Sequence, residues 1–294
     1  MIHMTPALFK PTSVLMIDDD ILLAKGIKNS FKNNIKAKFS YHRFLTQETE
    51  EELDKNYQDI LSFNRMSIKD INSHFDNCNV FSTIILDHHM LPKTGLQIAQ
   101  ELKNPFVQKI MISNLLSDKE ALSALNEGVI DFYLCKMDNN FVNNLAKAIT
   151  ISQQKFFTSI SKLMPNYSDV DNPLLQEGSK KIFEDIKTKY NLEHYEVAEN
   201  FRTFKFFNDA NTKTLTLQFI SEAELDELLN SYQAESAPEN ILEVIKTGAM
   251  IPYFDDGHVQ NGERWLKYLK PAKKFIGKQK YFYVTHEEEE NGTN

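Results

Sequence analysis

Short apolar runs alternate with amphipathic stretches between residues 12 and 163. Continuous apolar runs are typical of buried strands, and apolar residues recurring every three or four positions indicate helices. The strand-like runs are VLMI (14–17), AKFSYHRF (37–44), VFSTIIL (80–86), KIMIS (109–113) and VIDFYLCK (129–136). The helix-like stretches are 21–34, 96–102, 118–128 and 139–163. This alternation predicts a doubly wound, five-stranded parallel sheet with helices on both faces.

One segment is longer than a single connection needs. Residues 45–79 begin with a polar helix candidate, QETEEELDKNYQDILSF, and continue with the less regular RMSIKDINSHFDNCN. The segment is therefore interpreted either as two helices or as an insertion.

The pattern changes at Pro165 and the polar stretch that follows it. Helices are predicted over 174–190, 222–234 and 240–248. Strands are predicted over 201–207, 215–221 and 281–286, and the polar residues between the first two suit a hairpin. This half is expected to be α+β. The predicted organisation is a first domain over 12–150, a linker helix over 151–165, an α+β domain over 166–286 and an acidic disordered tail over 287–294.

Composition narrows the class of protein. The chain of 294 residues carries 33 basic and 41 acidic side chains, a net charge of −8, so it is not a polycation that coats nucleic acid. Its two cysteines, Cys78 and Cys135, offer neither a disulfide framework nor a thiolate metal site, as in a reducing cytoplasm. No apolar run is long enough to span a membrane, and the start does not resemble a signal peptide. The expected location is cytoplasmic.

Polar side chains follow four of the predicted parallel strands, namely Asp18, Asp19, Asp87, Ser113 and Lys136. The carboxyl ends of parallel strands form the ligand crevice of a doubly wound sheet. Carboxylates brought together there repel one another unless a cation intervenes, and Mg²⁺ prefers such hard oxygen ligands. The hydroxyl and the lysine add a donor and a fixed positive charge, which are the groups that stabilise a phosphoryl group.

The motifs VLMIDDD, ILDHHMLPKTG, KIMIS and DFYLCK, in this order and spacing, resemble the receiver domain of bacterial two-component response regulators. The resemblance covers about half of the chain and implies a flavodoxin-like fold. It implies that Asp87 is the phosphoacceptor, and that Asp18, Asp19 and Asp87, with the backbone carbonyl of His89, bind Mg²⁺. It further implies that Lys136 and Ser113 contact the phosphoryl group, that Asn114 follows the switch hydroxyl, and that Tyr133 is the aromatic residue that moves with it.

The same resemblance implies a partner, a cognate histidine kinase or phosphotransfer protein, and homodimerisation through the receiver domain. No enzymatic activity is expected beyond phosphoryl transfer to the protein itself and dephosphorylation. The favoured output is a domain that binds a protein partner or dimerises, without contact to a membrane.

Two alternatives remain for the second half. A run without acidic residues, within the basic and aromatic stretch 264–283, suggests nucleic-acid or nucleotide binding, because cations attract phosphates and aromatic rings stack on bases. Its candidate contacts are Arg264, Trp265, Lys267, Lys270, Lys273, Lys274, Lys278 and Lys280. The other alternative is a metal-dependent enzyme built around Asp255, Asp256 and His258. A simpler explanation of the basic stretch is a solvated amphipathic helix followed by a strand. A simpler explanation of the group at Asp255, Asp256 and His258 is a turn.

Overall fold

The structure is a computed structural model that describes residues 4–31, 37–114, 117–169, 171–198, 201–208, 212–234, 237–253 and 268–287. The described residues divide into two compact units. The parallel-sheet unit contains those within 11–66 and 73–164. The antiparallel-sheet unit contains those within 1–10, 67–72 and 165–294.

The parallel-sheet unit is built on five parallel strands in the order β2-β1-β3-β4-β5. They are β1 (Thr12–Ile17), β2 (Ala37–His42), β3 (Phe81–Asp87), β4 (Gln108–Ser113) and β5 (Phe132–Cys135). The helices between and after them are α1 (Ile21–Phe31), α2 (Gln47–Leu61), α3 (Ile68–Asn77), α4 (Gly95–Glu101), α5 (Asp118–Asn126) and α6 (Phe141–Ser161). This arrangement confirms the predicted doubly wound, flavodoxin-like fold.

Helices cover both faces of this sheet, because its strands are apolar on both sides. On one face, Leu15, Ile84 and Met111 pack with Leu53 of α2 and Ile98 of α4. On the other face, alternate residues of the same strands pack against α1 and α6. This second group includes Val14, Met16, Ile85, Ile110, Ala24, Ile27, Leu145 and Ile149.

The long segment 45–79 contains α2, a short 3₁₀ helix over Ser62–Arg65, and α3. Thr46 caps α2, with its hydroxyl accepting from the backbone N–H of Thr49. Residues 67–72, in the first half of α3, group with the antiparallel-sheet unit. There, the Asn72 side chain donates to the Val197 carbonyl at 2.8 Å. The part of this segment predicted to be less regular therefore carries a helix.

The antiparallel-sheet unit contains a five-stranded sheet in the order β11-β12-β8-β7-β6, with antiparallel neighbours. Its strands are β6 (His194–Val197), β7 (Thr203–Phe207), β8 (Lys213–Ser221), β11 (Lys273–Ile276) and β12 (Lys280–Glu287). A two-stranded sheet pairs β9 (Met250–Pro252) with β10 (Leu269–Pro271). The helices are α7 (Glu177–Tyr190), α8 (Glu222–Ala234) and α9 (Glu239–Lys246). The predicted α+β architecture is confirmed.

The two faces of the five-stranded sheet are covered differently. One face carries aromatic rings that meet Phe183 of α7, at centroid distances of 4.9 Å for Tyr195 and 5.0 Å for Phe204. On the other face, Ile220 and Phe282 belong to an apolar cluster with residues of α8, α9 and β9. The sheet is thus the middle layer of this unit.

The predicted hairpin is present as β7 and β8. Residues 269–271 and 273–276 form β10 and β11, so the amphipathic helix considered for the basic stretch is wrong for these residues. Strands β6, β9, β10 and β11 were not predicted, since each has only three or four residues. Among the described residues, no helix is both long enough and apolar enough to cross a membrane.

Candidate functional site

Four neighbouring strands of the parallel sheet deliver polar side chains to the same edge. Asp18 follows β1, Asp87 ends β3, Ser113 ends β4, and Lys136 follows β5. The register places Ile17 beside Leu86, Asp87 beside Ile112, and Ser113 beside Cys135, so these strand ends are level. The parallel topology brings together side chains that are up to 118 residues apart in sequence.

Three carboxylates gather at this edge. Asp18, Asp19 and Asp87 each place an oxygen atom within 4.8 Å of the others. Asp18 is fully buried, Asp87 is 6% exposed, and Asp19 is exposed. The backbone N–H of Asp20 donates to Asp18 Oδ1 at 2.8 Å, and the side chain of Asp20 accepts from Leu22 and Leu23 at the start of α1. The acidic run thus supplies both site carboxylates and a helix cap.

Lys136 bridges two of these carboxylates. Its Nζ lies 2.8 Å from Asp18 Oδ2 and 3.0 Å from Asp87 Oδ1. Burial raises the pKa of Asp18, and hydrogen bonds from Lys136 and Asp20 counteract that rise only in part. Burial alone would lower the pKa of Lys136, but its hydrogen bonds to Asp18 and Asp87 outweigh that effect and the pKa is raised. The lysine is therefore held in its charged form beside both carboxylates.

The donor set suits a hard divalent cation. Three carboxylates offer oxygen ligands only, and one of the three faces solvent, so a metal ion there would keep bound water. This is the usual coordination of Mg²⁺ in proteins. The residues present therefore fit the predicted cation.

The loop after Asp87 is held close to the sheet by Gly95. The Gly95 N–H donates to the His88 carbonyl at 3.1 Å, and the His88 N–H donates to the Ile112 carbonyl at 3.1 Å. A Cβ on Gly95 would overlap the backbone carbonyl oxygen of Asp87 and lie 2.9 Å from its carbonyl carbon. His89 is exposed, and His88 is half-buried with a pKa lowered by burial and by the charge of His89.

The predicted switch residues lie near this edge in different environments. Ser113 is buried, and its backbone carbonyl accepts from the Lys136 N–H at 3.1 Å. Asn114 is exposed. Tyr133, on β5, is half-buried and packs against the apolar cluster that contains Met111. The strand ends therefore place Ser113 beside Lys136. Tyr133 lies on β5, three residues before Lys136.

Tyr41 is a site residue that the sequence reasoning missed. Its hydroxyl donates to the backbone carbonyl of Asp18 at 2.9 Å, and the Asp18 N–H donates to the His42 carbonyl at 3.2 Å. Burial raises the pKa of Tyr41, and the charge of Asp18 adds to the rise. Tyr41 lies near the end of a predicted strand, but only the pairing of β2 with β1 shows that it supports the acidic turn.

The structure describes only some of the candidate residues of the second half. Asp255, Asp256, His258, Arg264, Trp265 and Lys267 lie outside the described residues. Lys273, Lys274 and Lys278 are exposed, whereas Lys270 is half-buried. Lys280 forms an ion pair with Glu222 at 2.7 Å.

The aromatic residues of the same stretch do not all face solvent. Tyr281 and Phe282 are buried, and the Tyr281 ring stacks on Phe275 with centroids 5.1 Å apart. These two rings are part of the protein core, so they are not stacking platforms for bases.

Comparisons with known proteins agree with this fold. No family model and no curated protein sequence matches the chain. The solved structure of the response regulator LqsR from Legionella pneumophila has a TM-score of 0.78 at 20% identity, covering 98% of this chain and 91% of LqsR. The parallel-sheet unit has the receiver fold. The matched 98% of the chain, which includes residues of the antiparallel-sheet unit, thus has the same fold as the LqsR structure.

Two isolated receiver domains match about half of the chain. The receiver domain of the Francisella response regulator 1452 is 20% identical, covering 49% of this chain and 98% of its own, with a TM-score of 0.33. A CheY-like receiver domain protein from Methanospirillum hungatei is 16% identical, covering 51% of this chain and 99% of its own, with a TM-score of 0.33.

Proposed function

We propose that this protein is a response regulator of a two-component system and accepts a phosphoryl group on Asp87. The observation that carries the proposal is the carboxylate cluster with Lys136 bridging Asp18 and Asp87 at the end of the central strand. A buried lysine beside clustered carboxylates offers positive charge to a phosphoryl group that arrives there.

Asp87 is the carboxylate best placed to act as the nucleophile. Both oxygens of Asp18 are engaged, one by the Asp20 N–H and the other by Lys136, and Asp18 has no exposed surface. For Asp87, Lys136 contacts Oδ1, and Oδ2 has no hydrogen-bond partner among the residues described. An Asp87 oxygen would attack the phosphorus atom of a phosphohistidine. The P–N bond then breaks and its electron pair stays on the ring nitrogen, so a neutral imidazole leaves with its proton on the other nitrogen, and an acyl phosphate forms on Asp87.

Mg²⁺ is the proposed cofactor. Asp18, Asp19 and Asp87 would hold it through carboxylate oxygens, together with the backbone carbonyl of His89. When bound, the ion neutralises charge on the carboxylates and on the phosphoryl oxygens.

The proposed switch begins with the new phosphoryl charge. Lys136 would move its ion pair from Asp18 to a phosphoryl oxygen, and the Ser113 hydroxyl would donate to another. Tyr133 is the aromatic residue that would follow Ser113 inward, while Asn114 borders the path to Asp87. A phosphoryl group thereby changes a surface of the parallel-sheet unit.

The partner that supplies the phosphoryl group is a histidine kinase or a phosphotransfer protein, and the proposed output is protein binding or dimerisation. Leu122 on α5 and Ile151 on α6 are exposed apolar side chains that such a contact between two parallel-sheet units would cover. Nucleic-acid binding is the second candidate, favoured by the exposed Lys273, Lys274 and Lys278.

The first test is labelling with acetyl phosphate in Mg²⁺. Wild-type protein should gain one phosphoryl group that hydroxylamine removes, and Asp87→Asn should gain none. Asp54→Asn is the matched control, because Asp54 is an exposed aspartate on α2. Labelling of Asp87→Asn at the wild-type rate would contradict the acceptor assignment.

The second test separates the two outputs. Phosphorylated and unphosphorylated full-length protein are compared for mass in solution and for binding to mixed RNA and DNA pools at two salt concentrations. A phosphorylation-dependent mass increase supports dimerisation. Binding that weakens steeply with salt and falls in a Lys273→Glu/Lys274→Glu variant supports the nucleic-acid candidate.

A further inference from the structure

The three carboxylates of the acidic site differ in how firmly the protein holds them. Asp18 has a partner on each oxygen, the Asp20 N–H at 2.8 Å on Oδ1 and Lys136 Nζ at 2.8 Å on Oδ2. Asp87 ends a buried strand, and Lys136 Nζ lies 3.0 Å from its Oδ1. Asp19 is exposed, and among the described residues no hydrogen bond or ion pair holds its carboxylate. The position of the Asp19 carboxylate therefore depends on the backbone that carries it.

Two hydrogen bonds tie that backbone to β2. The Asp18 N–H donates to the His42 carbonyl at 3.2 Å. The Tyr41 hydroxyl donates to the Asp18 carbonyl oxygen at 2.9 Å. This carbonyl belongs to the planar peptide group that joins Asp18 to Asp19. The hydrogen bond from Tyr41 therefore sets the orientation of that peptide group, and with it the direction in which Asp19 leaves the turn.

The ring of Tyr41 is itself held in place by packing. In the pairing of β1 with β2, Tyr41 lies directly beside Met16, two residues before Asp18. Two strand residues span about 6.6 Å, a distance that a tyrosine side chain can bridge. The ring packs against the apolar cluster that contains Met16, Ala24 and Ile27. These contacts fix the ring, and so they fix the hydroxyl at the acidic turn.

We infer that Tyr41 is a positioning residue for the metal ligand Asp19. The inference rests on the proposed function, because it takes the acidic site as the site of Mg²⁺. Without the Tyr41 hydroxyl, the peptide group between residues 18 and 19 can rotate, and the Asp19 carboxylate no longer stays within 4.8 Å of the other two. The hydroxyl thus raises metal affinity by reducing the conformational freedom that Asp19 must lose when it binds the ion.

A purely structural role for Tyr41 makes a different prediction. Asp18 is fully buried, so removal of the hydroxyl deprives a buried carbonyl of this donor and weakens folding whether or not Mg²⁺ is present. Positioning of Asp19 adds a loss that appears only when Mg²⁺ binds and that requires the Asp19 carboxylate. A double-mutant cycle separates these two roles.

The test is Mg²⁺ binding to the full chain, measured by isothermal titration calorimetry without a phosphodonor. Tyr41→Phe should weaken Mg²⁺ binding about tenfold, the lower end of the effect of removing a group that orients a metal ligand. Tyr57→Phe is the matched control, because it removes the hydroxyl of a half-buried tyrosine on α2 in the same unit. This control should bind Mg²⁺ like the wild type.

The same titration in an Asp19→Asn background shows the route of the effect. Asp19→Asn alone should weaken Mg²⁺ binding, and the addition of Tyr41→Phe should weaken it by at most about a further twofold. A loss of about tenfold in both backgrounds would overturn the inference, because Tyr41 would then act without Asp19. Unchanged Mg²⁺ binding in Tyr41→Phe would overturn it as well.

Labelling with acetyl phosphate distinguishes this inference from the proposed function. Tyr41→Phe should label slowly at low Mg²⁺, and saturating Mg²⁺ should restore a rate close to that of the wild type, which also shows that the variant is folded. A deficit that saturating Mg²⁺ does not correct would overturn the inference. If the Mg²⁺ titrations gave the expected results but Asp87→Asn were labelled normally, the acceptor assignment would fail and the role of Tyr41 would stand. Absence of Mg²⁺ binding by the wild type would overturn both.

Discussion

Gly95→Ala tests how closely the loop after Asp87 is tied to the site. Gly95 is the first residue of α4, and an added Cβ would overlap the Asp87 carbonyl oxygen, with the carbonyl carbon at 2.9 Å and Met111 Sδ at 3.0 Å. Favourable contacts between carbon atoms are about 3.5–4.0 Å, so the backbone must separate by roughly 1 Å. The oxygen belongs to the backbone of the buried central strand, which cannot move aside as a flexible side chain can.

The expected effects follow from that displacement. Overpacking of this kind costs about 1–3 kcal/mol, while replacing a helical glycine by alanine returns roughly 0.5–1 kcal/mol. The net loss of unfolding free energy should therefore be at most about 2.5 kcal/mol. A displacement of about 1 Å at a reacting group can cost 10²-fold in rate, so phosphorylation by acetyl phosphate should slow by about two orders of magnitude.

Gly26→Ala is the matched control. Gly26 is an exposed residue in α1, and a Cβ there meets no atom within 4 Å. This variant should gain about 0.5–1 kcal/mol and label at the wild-type rate. The measurements are urea denaturation and the time course of labelling with acetyl phosphate in Mg²⁺. If Gly95→Ala matched Gly26→Ala in both, the close backbone approach would not constrain the site and the reasoning would be refuted.

Three further predictions concern pH, metal and capping. Burial lowers the pKa of Lys187 to about 8, so the folded state loses this proton before the unfolded state does. Wild-type stability should therefore rise from pH 8 to about 10.5 by up to roughly 3 kcal/mol through this group. In urea denaturation across that range, Lys187→Met should lose this rise while Lys189→Met, at an exposed lysine, keeps it; equal slopes would contradict the assignment. Mg²⁺ at ten times its Kd should stabilise the wild type by about 1.4 kcal/mol and Asp18→Asn by far less. Thermal melts with and without Mg²⁺ measure both effects. If Mg²⁺ stabilised Asp18→Asn as much as the wild type, Asp18 would not be a ligand. Thr94→Ala should cost about 1 kcal/mol in urea denaturation, because Thr94 and Gln97 form a capping box at the start of α4, and a loss below about 0.3 kcal/mol would show that the cap contributes little.

Much of the candidate site follows from local sequence pattern. Asp18, Asp87 and Ser113 each end or follow an apolar run, and Lys136 follows the next one. Because parallel strands place their carboxyl ends at one edge, the strand–helix alternation alone predicts that these side chains meet. The structure brings Lys136 to both Asp18 and Asp87. The fold could be predicted from the sequence because a strand-like apolar run occurs five times in this half of the chain.

The antiparallel-sheet unit was harder to predict, for a physical reason. Its strands β6, β9, β10 and β11 have only three or four residues, which is too short for an alternation to stand out. The N-terminal segment also belongs to this unit, where Phe9 pairs with Tyr195. Packing and backbone hydrogen bonding decide which segments this far apart in sequence pair with each other. A short stretch of sequence does not contain that information.

Local sequence pattern was enough to predict the elements of the parallel sheet, the edge at which its polar residues emerge, and the acidic and basic groups available there. Two features appear only in the folded protein: Tyr41 supports the turn at Asp18, and Gly95 has no room for a side chain. Local propensity and periodicity act over a few residues. Register between distant strands depends on the free energy of the whole packed sheet, and so it appears only once the chain is folded.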